Sequence, residues 1–185
     1  MRKRSILRTV GAALLSVSLL ATAAAAAVAE PTEAFYVADY ADVIEPETEQ
    51  YIVDQNEILY ESTGGEIVIV AVDFMDGMSS ADYAMAVAEN WNGIGDVERN
   101  NGFLLVFATG ENKVRAMAGY GIDNDLPASL LNAYLETYFY DDYDAGNYNQ
   151  AVRTFFDAIY AWYMDYYQVS DTAGGPVAPA PQPVE

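Results

Sequence analysis

The chain has 185 residues, with 28 acidic side chains against 8 basic ones, a formal net charge of −20, no cysteine and no histidine. Lacking cysteine, it has no disulfide framework, thiolate chemistry or lipid-modified N-terminal Cys. Lacking histidine, it has no Ser-His-Asp triad, phosphohistidine or common zinc site. The acidity excludes direct nucleic-acid binding, and any metal must sit on oxygen ligands, which points to calcium or magnesium.

The N-terminus reads Met1-Arg2-Lys3-Arg4, with Arg8 close behind, and an uncharged stretch runs from Thr9 to Ala29. A basic start, an apolar centre and the small-residue triplet Ala27-Val28-Ala29 predict a secretory signal peptide over residues 1–29, leaving Glu30 as the new N-terminus. The expected destination is outside the cytoplasm: extracellular or envelope-associated, in the periplasm or at the cell surface. The leader holds four of the eight bases and none of the acids, so the mature chain keeps 4 basic and 28 acidic side chains, a net −24. Such a surface repels anions and attracts divalent cations. No later stretch is apolar enough to span a bilayer, so no transmembrane helix is expected in the mature chain.

Residues 30–34 read as a short linker, and Phe35 to Ile44 is apolar and acidic by turns. Pro46, followed by Glu47 and Glu49, opens a helix that runs to about Ser62, because acids suit the first turn. Ile52, Ile58 and Leu59 supply its core stripe, and Thr63-Gly64-Gly65 stops it. Glu66 to Val72 is almost continuous Ile and Val, the composition of a central strand covered on both faces. Ser79 or Ser80 caps a second helix containing Tyr83, Val87 and Trp91, and Asn92-Gly93-Ile94-Gly95 ends it. The apolar run Phe103–Ala108, a turn at Gly110-Glu111-Asn112 and the alternating run Val114–Ala118 predict an antiparallel hairpin, which exits through Gly119-Tyr120-Gly121. The preceding strand-helix-strand unit predicts a right-handed parallel crossover. Pro127 opens a third helix, Asp141 to Gly146 reads as an acidic aromatic loop, and Asn147 caps a last helix with Val152, Phe156, Ile159, Tyr163 and Tyr166 in its stripe. Residues 170–185 are Gly- and Pro-rich and read as a disordered tail.

This topology sorts the oxygen-bearing side chains into two groups. The parallel strands start at one end of the sheet, and the hairpin returns the chain there. Asp96, Glu98, Asn100, Asn101, Asp123 and Asp125 therefore gather at that end, and Asp73, Asp76 and Glu111 at the other; the place of Asp39 and Asp42 stays open. Loops also favour Asp and Asn for turn geometry alone. Gly119-Tyr120-Gly121 is not a dinucleotide loop, since it follows an antiparallel strand and lacks the third glycine.

The order of short blocks resembles the TPM domain family. Asp39-Tyr40-Ala41 looks like its opening motif, Thr63 to Val72 its first long strand, Trp91 to Gly95 its Trp-x-x-Gly-like block and Gly119-Tyr120-Gly121 its hairpin exit. Asn112 to Arg115 falls on its basic strand and Gly146-Asn147-Tyr148 on its late Gly-x-Tyr. Asn100-Asn101-Gly102 occupies the family's Asp-Asn-Gly, so the acid there is an amide here. The resemblance covers roughly residues 36–167 and defines one domain over 35–169. It implies an α/β fold, a single-domain α/β/α sandwich with Rossmann-like layering and a mixed sheet containing the antiparallel hairpin. It also implies divalent-metal binding and, by way of a plant thylakoid-lumen branch, phosphatase activity. On that reading Ca2+ or Mg2+ is held by Asp96, Asn100, Asn101, Asp123, Asp125 and Asp39, and Asp123 or Asp39 is the candidate catalytic base or nucleophile. Loss of the acid at Asn100 weakens the expected affinity. Three functions follow as expectations. The first is a cation-binding accessory or interaction module at the bacterial envelope, with an envelope protein or glycan as partner. The second is a metal-dependent acid phosphatase, and the third a structural binder using the aromatic last helix (Tyr160, Trp162, Tyr163, Tyr166 and Tyr167).

Overall fold

Two apolar runs build the centre of the molecule. In the computed structural model, which describes residues 28–169, Glu66–Val72 and Gly102–Ala108 lie side by side in parallel, Glu66 opposite Gly102 and Val72 opposite Ala108. The predicted leader up to residue 27 and the predicted tail 170–185 lie outside the described residues. Four strands form one sheet in the order β1-β2-β3-β4: β1 (Val37–Asp39), β2 (Glu66–Val72), β3 (Gly102–Ala108) and β4 (Lys113–Ala118). β1 joins β2 in parallel, and the β3–β4 hairpin closes the other side antiparallel.

Side chains alternate across a strand, so each strand feeds two cores. Ile67, Ile69, Phe103, Leu105 and Phe107 face α1 (Pro46–Thr63), α3 (Ala128–Tyr138), α4 (Tyr140–Asp144) and α5 (Tyr148–Tyr166). Val68, Val70, Leu104 and Val106 face α2 (Ser80–Asn90), together with Met75, Trp91 and Ala29. Both faces are covered, which is why β2 and β3 read as unbroken apolar runs. The cover is unequal, however: four helices pack on one face and one helix on the other. The result is an α/β fold with a mixed sheet, as the sequence predicts.

Four local details add to the sequence reading or depart from it. Residues 35–44, unassigned from sequence, contain β1, a three-residue strand too short to show periodicity. Residues 30–34 are not a free linker, because Thr32 Oγ1 donates to Val37 O at 2.6 Å and Tyr40 OH donates to Glu30 O at 2.9 Å. The acidic loop contains the short helix α4, closed by stacking of Tyr143 on Phe139 at 5.2 Å and by donation from Tyr143 OH to Ala108 O at 2.7 Å. Asn147 stands at the start of α5, but its side chain makes no cap and donates instead to Asp142 Oδ1 at 3.4 Å.

Candidate functional site

The end of the sheet where β2 and β3 begin carries most of the predicted oxygen ligands. Asp96 Oδ1 accepts from the backbone N–H groups of Glu98 at 3.0 Å and Arg99 at 2.8 Å, closing the turn that leads into β3. Asn101 is fully buried. Its Oδ1 accepts from Asp96 N at 3.1 Å, and its Nδ2 donates to Thr63 O at 3.1 Å and Tyr167 OH at 2.8 Å. Asn100 has φ of +48°, in the left-handed region that Asn tolerates better than most residues. Its carbonyl accepts from Gly121 N at 2.9 Å, which ties the hairpin exit to this turn. Asp123 follows half-buried, and Asp125 Oδ2 accepts from Tyr166 OH at 3.1 Å.

Asp39 does not join them. β1 runs parallel to β2 with Asp39 opposite Ala71, so this residue lies at the far end of the sheet. There Oδ1 accepts from Ala41 N at 3.1 Å, and Oδ2 accepts from Val43 N at 2.7 Å and Ile44 N at 2.6 Å. Three charge-assisted bonds to backbone make Asp39 the organiser of the 40–44 turn. At this same end Thr109 Oγ1 donates to Asp73 at 3.2 Å, and Glu111 accepts from Met75 N at 2.6 Å and pairs with Lys113 at 3.2 Å. The bonds from Met75 and Lys113 hold the Glu111 carboxyl below its ordinary range.

A tight calcium site needs six to eight oxygens turned to one point. Here Asp39 is on the wrong end, Asn101 is buried and fully bonded, and Asp96 and Asp125 each commit an oxygen within the fold. Among the described residues no group of three or more acidic side chains could hold a metal ion. Among the described residues these side chains are not gathered into one closed carboxylate cluster. Cations to meet a phosphate are also scarce. Arg99 Nη1 donates to Thr63 O, Lys113 is paired, and Arg153 pairs with Asp157 at 3.3 Å with its guanidinium 3.3 Å from the centre of the Tyr51 ring.

The lighter cover of the α2 face leaves a different feature. A groove of about 440 Å³ runs between α2 and β4. Met85 and Ala88 of α2 line it, with Ile94, Leu104, Met117 and Tyr120; Glu89 and Asn100 add polar groups. Met85 is 53% exposed and Tyr120 87%, so both offer apolar surface to solvent. Beside the groove, β4 is an open sheet edge. Gly119 N donates to Gly102 O at 2.8 Å, which makes Gly102 and Gly119 a bonded pair. The alternation of an antiparallel ladder then turns the N–H and C=O groups of Val114, Ala116 and Ala118 outward. Among the described residues these groups have no backbone partner, and the exposed Arg115 side chain beside them has no ion pair. Composition and periodicity did not reveal this site. Met85 and Tyr120 were its visible trace, two large apolar residues at positions that pack against nothing in the sequence-predicted core.

The aromatic stripe of α5 divides. Tyr160 and Tyr163 are buried, and Tyr163 OH donates to Asn101 O at 2.6 Å. Trp162 and Tyr166 stack on each other at 4.8 Å.

The family described as the TPM domain matches residues 37–162. Among solved structures, the N-terminal domain of a protein from P. gingivalis superposes with a TM-score of 0.63 at 23% identity, over 71% of this chain and 82% of that one. The BA42 protein of Bizionia argentinensis, a psychrophilic bacterium, gives a TM-score of 0.54 at 20% identity, over 69% and 86%. The N-terminal domain of the cg2496 protein from Corynebacterium glutamicum gives 0.54 at 13%, over 78% and 86%. At these identities the likeness speaks for the fold. No curated protein matches the chain.

Proposed function

Because this chain belongs to the TPM domain family, we propose that it is an exported accessory domain of the bacterial envelope that captures an extended, apolar and basic segment of another envelope protein. The observation that carries this reading is the open edge of β4 beside the Met85–Met117 groove. An added strand would pair with the outward backbone groups of Val114, Ala116 and Ala118, and its alternate side chains would enter the groove. The strong negative charge of the mature domain favours a basic partner and speeds its encounter. A second copy of the same chain carries the same charge and is repelled. Arg115 on the edge strand discourages self-pairing further, as charged edge residues do.

Divalent cations, in this proposal, associate loosely with the acidic loops at Asp96, Asp123 and Asp125. Catalysis is the weaker reading. A phosphate dianion brought to that end meets unpaired carboxylates, each costing about 4 kcal/mol at ~4 Å and a surface-like dielectric before screening. Arg99, the cation nearest in sequence, is turned to a backbone carbonyl.

The test uses a synthetic decapeptide of alternating Val and Lys, its Val/Glu counterpart and a proline-interrupted version. Calorimetry should show binding of the Lys peptide alone, and amide exchange at Val114, Ala116 and Ala118 should slow. Met85→Lys, on an exposed helix position, should weaken binding by about tenfold, the size of one unfavourable charge placed at a contact. Binding that ignores the proline and leaves those amides unchanged would reduce the effect to diffuse charge attraction and sink the proposal. Concentration-dependent protection of the same amides without peptide would assign the edge to a second copy instead.

A further inference from the structure

The start of the described chain is bound into the fold in a way that bears on how the exported protein is cut. Ala29 is only 6% exposed. Its N–H donates to Tyr83 OH at 3.1 Å, and its carbonyl accepts from Trp91 Nε1 at 3.0 Å and Asn90 Nδ2 at 3.4 Å. Tyr83 and Trp91 are themselves 1% and 3% exposed, and Val28 packs against the same core. Burial raises the Tyr83 hydroxyl above its ordinary range. One residue, through the two amides that flank it, thus satisfies two buried side-chain polar groups on the α2 face. Among the described residues neither Tyr83 OH nor Trp91 Nε1 has another hydrogen-bond partner.

We propose that processing leaves Val28-Ala29 on the exported chain, with the cut falling after Ala27. The proposal rests on the export reading. In sequence, Ala25-Ala26-Ala27 meets the same small-residue rule as Ala27-Val28-Ala29. The structure separates the two. The carbonyl of Ala29 that accepts from Trp91 belongs to the Ala29–Glu30 amide, the bond a cut after Ala29 would hydrolyse. That cut removes the acceptor and leaves Glu30 with an ammonium group, which carries donors only and cannot accept from Trp91 Nε1. A buried indole N–H and a buried phenol would then lose their partners, and such losses are costly. Hydrolysis of the Ala27–Val28 amide by water, catalysed by a signal peptidase, leaves a carboxylate on the leader and an amine on Val28. It leaves both amides that flank Ala29 whole. Val28 and Ala29 then act as a strap that seats the N-terminus on Trp91 and closes that side of the α2 core.

N-terminal sequencing and intact mass of the exported protein read the cut directly. A start at Val28 is expected. A start at Ala29 or Glu30 overturns this inference and leaves the export reading standing, whereas retention of Met1 defeats both. The structural argument has its own check in two purified chains beginning at Val28 and at Glu30. The longer should melt about 5 °C higher, the shift that loss of one or two buried hydrogen bonds produces in a domain of this size. Tyr83→Phe should narrow the gap. Equal melting temperatures for the two chains would overturn the strap assigned to Val28 and Ala29, whichever start is found.

Discussion

Asn101 illustrates how a residue that reads as a ligand can be spent on structure. Both polar atoms of its amide are bonded inside the fold, to Asp96 N, Thr63 O and Tyr167 OH. Asn101→Ala removes three hydrogen bonds and leaves a buried gap; Asp96 N keeps Gly64 O and Thr63 O keeps Arg99, so the cost should be about 2 kcal/mol by denaturant titration. Asp123→Asn, by contrast, should leave stability within about 0.5 kcal/mol, as surface substitutions away from such networks do. Asn100 gains a physical reason from its φ of +48°: the left-handed region suits Asn. The residue types at this end were legible in the sequence, and so was their gathering at one edge. Their commitment to local backbone was not, because spacing shows which side chains are near and not which atoms they already serve. Asp39 is the clearest case. Its motif drew it into the predicted ligand set, yet pairing of β1 with β2 places it at the opposite end, bonded to three N–H groups of its own turn.

At the scale of elements, the hairpin and its exit carry the fold's tightest constraint. A Cβ on Gly121 would stand 1.7 Å from Arg99 O, and one on Gly119 2.2 Å from Asn100 O. The Gly-Tyr-Gly pattern is thus a place where two loop backbones touch, with Gly121 N bonded to Asn100 O, and not a phosphate cradle. Gly121→Ala should destabilise the domain by about 3 kcal/mol, since neither backbone can give way. Tyr120→Ala, one residue away and exposed, should leave the melting temperature unchanged and weaken capture of the Val/Lys peptide. Loss of stability in both variants would mean that Tyr120 is part of the hairpin's support. β2, β3, β4 and the four longer helices were legible because runs of four to eight apolar residues and helical stripes are strong local signals. β1 and α4 were not. β1 spans three residues and owes its state to pairing with β2, and α4 spans five and is held by Tyr143 packing on Phe139 and Phe107. The groove lay further from view, since it arises from a helix that is missing on one face.

The whole molecule is governed by its charge, and here calcium and pH act on the same quantity. Millimolar calcium should raise the melting temperature through preferential association with the folded, more densely charged state. Magnesium should do nearly as well, and Asp123→Asn should lose little more of the effect than Asp144→Asn. A calcium effect abolished by Asp123→Asn alone would instead reveal a defined site. Protons act in the same direction. Burial raises the carboxyls of Glu66 and Asp157 above their ordinary 4.5 and 3.8, and burial with Asp39 and Asp42 nearby raises Glu49. In the window above those ordinary values the folded chain holds protons that the unfolded chain has released. Stability therefore falls as pH rises through the folded-state values, and mild acidification should stabilise. Glu111, lowered by Met75 N–H and Lys113, works the other way, its contribution fading only as pH drops below about 4.5. The melting temperature should accordingly peak on the acid side of neutrality, before general protonation of paired carboxylates takes over. Glu66→Gln isolates one part of this. Gln keeps an oxygen for Gly95 N, which Glu66 Oε2 now meets at 2.6 Å, and removes the buried charge. It should raise stability at alkaline pH and flatten the slope above the ordinary glutamate value, with the two proteins converging below it. A parallel pair of melting curves, offset but equally steep in pH, would show that desolvation of Glu66 contributes nothing to the acid stabilisation.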